Sequence, residues 1–291
     1  MTPAEPDSRV PAWRRRPRLL LAVAVSLLVV VLVVAGVLWT GLRRSEPPPV
    51  GPGHRLVFED DFDGDRLDST KWTDRRGVAP HTYGSPFNPQ LEDTLFEPEQ
   101  VGVEDGALRL SATPRRVQDE LGGATYGFVS GVVHTGAHFA YTYGYAEARI
   151  LVPDDAGYWP AFWMLPTPVD DQWPPEIDIA EFSAALGSTT RPTFNVHWRD
   201  AYSEQRQLGP TPYGDPNTSY AGSWHTYGLS WEPGRLQVYL DGQPGPVFAG
   251  QDVPDQPMYL VLGMGVARDA NPAPAAMTVD YVRVWSDTTS G

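Results

Sequence analysis

The chain has 291 residues, a formal net charge of −14, 30 Pro, 28 Gly, 10 Trp and no Cys. No disulfide can staple it, and a domain of this length buries enough apolar surface without one. Residues 1–46 carry a net +4, which leaves −18 on the remainder; so acidic a body is a poor partner for nucleic acid, anionic lipid or a polyanionic polysaccharide.

The N-terminal segment stands apart. Residues 1–18 hold five Arg and read as a cytoplasmic tail. Residues 19–42 contain no ionisable group and are long enough to span a bilayer as one helix. With only Arg43 and Arg44 following, the positive-inside rule places the N-terminus in the cytoplasm and the rest outside. A cleaved signal peptide is the competing reading, but the apolar core is too long and no A-x-A site follows it. A signal-anchor helix is therefore expected, with the domain secreted if the anchor is cut. Residues 43–54 are rich in Pro and Gly and read as an extended spacer.

From residue 55 to 286 the chain shows short alternating or apolar runs broken by turn signals, with no convincing amphipathic helix and no fixed repeat. Leu56–Phe58 reads as a strand. Residues 67–72 read as a loop with a buried Trp72, and 81–98 as a long surface loop, a type that is often functional. Residues 101–112 read as a hairpin turning at Glu104-Asp105-Gly106. Further strands are expected at 128–135, 146–152, 235–240 and 277–285, and a central strand at the apolar run 258–266. Residues 287–291 form a tail. Many short strands and no helices predict a sandwich of two sheets.

The chemistry concentrates in Trp173-Pro-Pro-Glu176-Ile-Asp178-Ile-Ala-Glu181-Phe182. In a strand Glu176 and Asp178 share one face while Ile177 and Ile179 take the other. Glu181 has the wrong parity. A β-bulge at Ile179-Ala180 would return it to the acidic face, and bulges are common beside active sites. A retaining glycosidase needs two carboxyl groups about 5–5.5 Å apart. Glu176 and Glu181 could lean toward each other, with the shorter Asp178 between them. Three neighbouring acids cannot all ionise cheaply, so at least one should stay protonated near neutral pH, as an acid catalyst must. The plainer readings are a charged face on an edge strand and a hard-cation site. Trp159 and Trp163 precede this strand, and indole faces stack on sugar rings; packing in the core is the alternative for each. His197, in Phe194–Trp198, is expected on the strand beside the acids, to orient a carboxylate or a sugar hydroxyl, or simply to be hydrogen-bonded in the structure.

Together these residues resemble glycoside hydrolase family 16, in particular its laminarinase-like branch of endo-β-1,3-glucanases. The E-I-D-I-x-E pattern matches Glu176–Glu181, and W-P-A-F-W-M matches Trp159–Met164. Y-G-x-x-E-A-R matches Tyr143–Arg149, W-H-T-Y-G-L-x-W matches Trp224–Trp231, and V-D-Y-V-R-V is Val279–Val284. The opening F-x-D-E-F-D/N-G matches Phe58–Gly64 with Asp61 in place of Glu, and K-W is Lys71-Trp72. Pro175 stands where members often have Gly, and Gly263-Met264-Gly265 replaces a polar stretch common in glucanases. The resemblance implies an all-β jelly roll of two curved antiparallel sheets, concanavalin A-like, with a cleft on the concave face. It implies retaining hydrolysis of internal β-linkages, with Glu176 as nucleophile, Glu181 as acid/base and Asp178 in support. It implies sugar binding by Trp159 and Trp163 and, loosely, Asn88. No cofactor is required for that chemistry. A structural Ca²⁺ is implied at Asp61 and Asp280 with the Gly106 carbonyl. The substrate is expected to be an extracellular β-1,3- or β-1,3(4)-glucan, and the protein a monomer. A transglycosylase on the same scaffold and a non-catalytic, lectin-like sandwich are the other readings.

Overall fold

A computed structural model describes residue 50 and residues 53–79, 82–120, 122–170 and 173–287. The expected anchor at 19–42 and the tail at 1–18 lie outside the described residues, as does the expected tail at 287–291 apart from Asp287, which ends the last strand. Among the described residues no helix is long and apolar enough to cross a membrane.

The described chain is all-β, in two sheets. The larger has ten strands. Its path runs β14 (Gln243–Ala249), β13 (Arg235–Leu240), β12 (Trp224–Glu232), β7 (Gly144–Leu151), β16 (Ala275–Asp287), β4 (Ala107–Gln118), β5 (Thr125–Ser130) and β2 (Thr94–Phe96). β1 (His54–Asp60) pairs with β16, and β3 (Val101–Glu104) with β4. The smaller has six, in the order β11 (Gln205–Pro212), β10 (Ser188–Arg199), β9 (Glu176–Ser183), β8 (Tyr158–Pro166), β15 (Met258–Val266) and β6 (Val132–His134).

The hairpin at 104–107 turns where expected. Asp105 and Gly106 both have positive φ, 53° and 71°, as a two-residue turn matching strand twist requires. Asp241 and Gly242 repeat this device between β13 and β14, with φ of 51° and 76°. One pairing departs from the antiparallel expectation: β2 runs parallel to β5. The β3–β4 hairpin lies between them in the chain, so β5 returns in the same direction as β2. β2 also adds structure inside what reads as a long loop.

Alternation decides what each face of the small sheet does. Phe162 and Met164, Ile177 and Ile179, Phe194 and Val196, and Leu260, Leu262 and Met264 all point into the core between the sheets. Their neighbours in sequence point outward. Trp163, Tyr259, Val261 and Ala161 form a separate apolar cluster there, with Phe96 and Val132. β15 is therefore buried on both faces, which is why it reads as an unbroken apolar run.

The expected bulge is present. On β8, Ala161 pairs with Glu181, Phe162 with Ala180 and Trp163 with Asp178. On β10, Thr193 pairs with Glu181 and Asn195 with Asp178. One residue of β9 is thus extra against both neighbours. Ile179 and Ala180 both enter the core, and Phe182 follows on the same side. Glu181 is returned to the outward face.

Parity decides which length changes at the bulge are tolerated. Deleting Ala180 makes the Glu176–Glu181 spacing even, so strict alternation leaves Glu181 outside and Phe182 inside. Deleting Ile179 and Ala180 together removes the bulge but keeps the spacing odd, which drives Glu181 inward and Phe182 outward. We predict that the double deletion destabilises by at least about 3 kcal/mol, the scale for losing a buried Phe, and the single deletion by clearly less. Urea unfolding checks this; equal losses would show that parity does not govern the strand.

Candidate active site

The outward face of the small sheet carries a cleft of about 640 Å³. Glu176, Asp178 and Glu181 of β9 all line it, with Trp159 and Trp163 of β8, His197 of β10 and Asn88 from the loop before β2. The structure thus brings together every residue expected in the catalytic and sugar-binding set.

The acids differ in their partners. Glu176 Oε2 accepts from the indole N–H of Trp173 at 2.5 Å, and the Trp173 carbonyl is itself held by Arg199 Nη2 at 3.1 Å. Burial raises the Glu176 carboxyl, while His197, Trp173 and a hydrogen bond from Asp178 pull it back down. Asp178 is almost wholly buried. Burial first, and then the charge of Glu176, hold it well above the usual carboxylate range. Glu181 is also held well above that range, by burial first and then by the charges of Asp178 and Glu176, with the Trp159 N–H opposing. That N–H lies 3.1 Å from Glu181 Oε1.

β10 supplies a supporting layer. His197 sits opposite Glu176 in the ladder and Asn195 opposite Asp178. Asn195 Nδ2 lies 2.9 Å from His197 Nε2, and His197 Nε2 lies 3.5 Å from Asp178 Oδ2. Burial lowers the His197 pKa, and the charge of Glu176 opposes that shift. The His197 ring also lies 5.3 Å from that of Trp173, centroid to centroid.

Two glycines make room for the cleft's side chains. A Cβ on Gly263 would stand 3.0 Å from the Trp163 ring, and one on Gly265 would stand 3.2 Å from Glu92 Oε2. The Gly263-Met264-Gly265 stretch is therefore the floor under which Met264 faces the core.

Sequence reading missed Trp173, Asn195, Glu92 and Arg76, all of which line the cleft. Trp173 had a signal, since it lies three residues before Glu176. Glu92 lies in the 81–98 loop, whose length marked the region but not the residue, and Arg76 had no signal; neither sits in a periodic run.

Both carboxylates implied for calcium pair with arginines. Asp61 Oδ1 is engaged by Arg283 Nη2 at 2.8 Å, and Asp280 Oδ2 by Arg149 Nη1 at 2.6 Å. Each carboxylate thus has a guanidinium on one of its oxygens. Among the described residues no group of three or more His, Asp or Glu converges as a metal would need. A Ser223–His225–Asp241 series, with spacings of 2.9 and 2.7 Å, lies outside the cleft lining. Asp241 Oδ1 also accepts from Thr226 N at 2.9 Å, which pins the β13–β14 turn to β12.

A two-sheet sandwich with a cleft of carboxylates and indoles on one sheet is the build of a carbohydrate-active protein. The chain belongs to glycosyl hydrolases family 16, whose pattern matches residues 90–283. It is 31% identical over 229 residues to endo-1,3-1,4-beta-glycanase ExsH of Rhizobium meliloti, covering 74% of this chain and 46% of that protein. It is 29% identical over 269 residues to glucan endo-1,3-beta-glucosidase A1 of Niallia circulans, covering 82% of this chain and 39% of that one. It spans less than half the length of these curated relatives. Among solved structures, the laminarinase catalytic domain of Thermotoga maritima superposes with a TM-score of 0.66 at 28% identity, covering 82% of this chain and 100% of that chain.

The Trp159 contact yields a signed prediction. Its N–H lowers the Glu181 pKa by stabilising the charged form. Trp159→Phe removes the bond, so the Glu181 pKa rises further and the alkaline limb of kcat/KM should move to higher pH. A pH–rate profile checks this; a limb that moves down or stays put contradicts it.

Proposed function

We propose that this domain is a retaining endo-glycosidase that cleaves internal β-1,3 or β-1,3(4) linkages of a glucan by double displacement. The observation that carries the reading is the bulge, which sets Glu176, Asp178 and Glu181 on one face of one cleft. Support comes also from the family match and from relatives named as glucanases and laminarinases.

Glu176 has the partners of a nucleophile. Two hydrogen-bond donors, Trp173 and protonated Asp178, stabilise its anion. In the first step Glu176 attacks the anomeric carbon as Glu181 gives its proton to the departing glycosidic oxygen. The bond to the leaving chain breaks and a glycosyl ester forms. In the second step Glu181, now ionised, takes a proton from water, which opens the ester and returns the original anomeric configuration. Asp178 modulates the charge on Glu176 through both steps, and Asn195 and His197 hold Asp178 in place.

We also infer that residues 19–42 anchor this domain outside the cell membrane, a reading supported by the Arg asymmetry around that run.

Glu181→Gln should lower kcat on a good β-glucan by about 10²–10⁴-fold, the usual worth of an acid/base group. Glu176→Ala should be inactive and should regain turnover with azide, giving an α-glycosyl azide. Wild-type turnover in Glu176→Ala without azide contradicts the assignment. For topology, external protease on intact cells should remove the domain, and protection would contradict the outside placement.

A further inference from the structure

We propose that Glu92 and Arg76 form a second sugar-binding subsite in the cleft, one that takes a neutral ring with adjacent unsubstituted hydroxyls. The inference rests on the cleft taking a polysaccharide, as proposed above, and adds which chemistry its remote wall accepts.

Glu92 is buried, with 6% of its surface exposed, yet it lines the cleft. Its Oε1 accepts from the Asn88 backbone N–H at 2.8 Å. Its Oε2 is buried and has no hydrogen-bond partner. A buried carboxylate oxygen left unpaired is costly, and such groups nearly always have a donor in the working state. Gly265 opens the space beside that oxygen. It leaves Glu92 Oε2 and the Trp159 side chain side by side above β15, each within 3.5 Å of the point a Cβ would occupy. Glu92 therefore sits next to the tryptophan that holds Glu181, and Glu181 feels its charge.

Arg76 is the complement. Its guanidinium lines the same cleft and lies over the Phe87 ring at 4.7 Å. Glu92 and Asp170 act on it through space. Asp170 Oδ2 is occupied by the Val78 and Ala79 N–H groups and the Thr82 hydroxyl, each at 2.9 Å. Glu92 Oε2 thus lacks a donor while Arg76 offers several in a planar fork. Phe87 also meets Trp163 edge-on at 5.1 Å, which gives the wall an aromatic body.

One ligand chemistry answers both needs. A hydroxyl can donate to Glu92 Oε2, and its neighbour on the ring can accept from Arg76. An O-sulfate or O-acyl group can accept from Arg76 but sets an acceptor against Glu92. An amine can donate to Glu92 but meets the positive charge of Arg76. A neutral, unsubstituted glycan fits.

The test uses the full chain carrying Glu176→Gln, so that bound sugar is not turned over. Titration calorimetry is run with laminaritetraose, a mixed-linkage glucotetraose, cellotetraose and randomly O-sulfated laminaritetraose. Glu92→Gln keeps an oxygen for the Asn88 N–H but turns an NH₂ toward the cleft. It should weaken the best neutral ligand by about tenfold or more, the scale of a lost bond to a charged group. It should also shrink the preference for neutral over sulfated sugar, which a merely structural loss would not do. Arg76→Gln should weaken neutral binding too. If the parent binds a neutral tetrasaccharide and Glu92→Gln, folded with an unchanged Tm, binds it equally well, the subsite is overturned and the catalytic reading stands. If the parent binds none of the panel, both readings fall together.

Discussion

A strand alternates its side chains strictly, and an acid five positions after another lands on the opposite face. This protein depends on one local breach of that rule. The extra residue at Ile179-Ala180 sends two consecutive apolar side chains into the core and turns Glu181 outward. Both ladders of β9 accommodate the same breach at the same place, so the bulge is set by two neighbours and not by a frayed edge. Below it, Ile177 and Phe182 keep the strand anchored. The site is thus built on a rigid element whose register is fixed by apolar burial on its other face.

Bringing three carboxyl groups into one buried row has an electrostatic cost, and the surrounding side chains set how it is shared. Indole N–H groups reach the two outer acids, Trp173 to Glu176 and Trp159 to Glu181. The middle acid has Asn195 and His197 beside it. Burial raises all three, but only Glu176 has two donors and an imidazole favouring its anion. Environment therefore separates groups that are chemically alike into a base-like and an acid-like member, the division that two-carboxylate hydrolysis requires.

Much of this was legible in the sequence, for reasons that differ by residue. The bulge could be inferred because Ile177, Ile179 and Phe182 cannot all be buried with Glu181 outside unless a residue is added. The two-residue turns at Asp105-Gly106 and Asp241-Gly242 carry their own chemistry. Trp159, Trp163 and His197 lie in strands whose parity is readable. Glu92 and Arg76 were not legible, because irregular chain carries them to the cleft and only the fold shows where it docks. The parallel β2–β5 pair was missed because β2 is three residues long and carries no alternation of its own. The Asp61 and Asp280 assignments came from family resemblance alone. The sequence could not show that Arg283 and Arg149 would pair with those carboxylates.

The central claim is that Glu176 and Glu181 face one groove and work on one glycosidic bond. Trapping the glycosyl-enzyme tests it most directly. The protein is incubated with a 2-deoxy-2-fluoro-β-glucosyl fluoride extended by a β-1,3-linked glucose, then digested and mapped by mass spectrometry. The account predicts a single adduct on Glu176. An adduct on Glu181, on Asp178 or on a residue outside the cleft would contradict it.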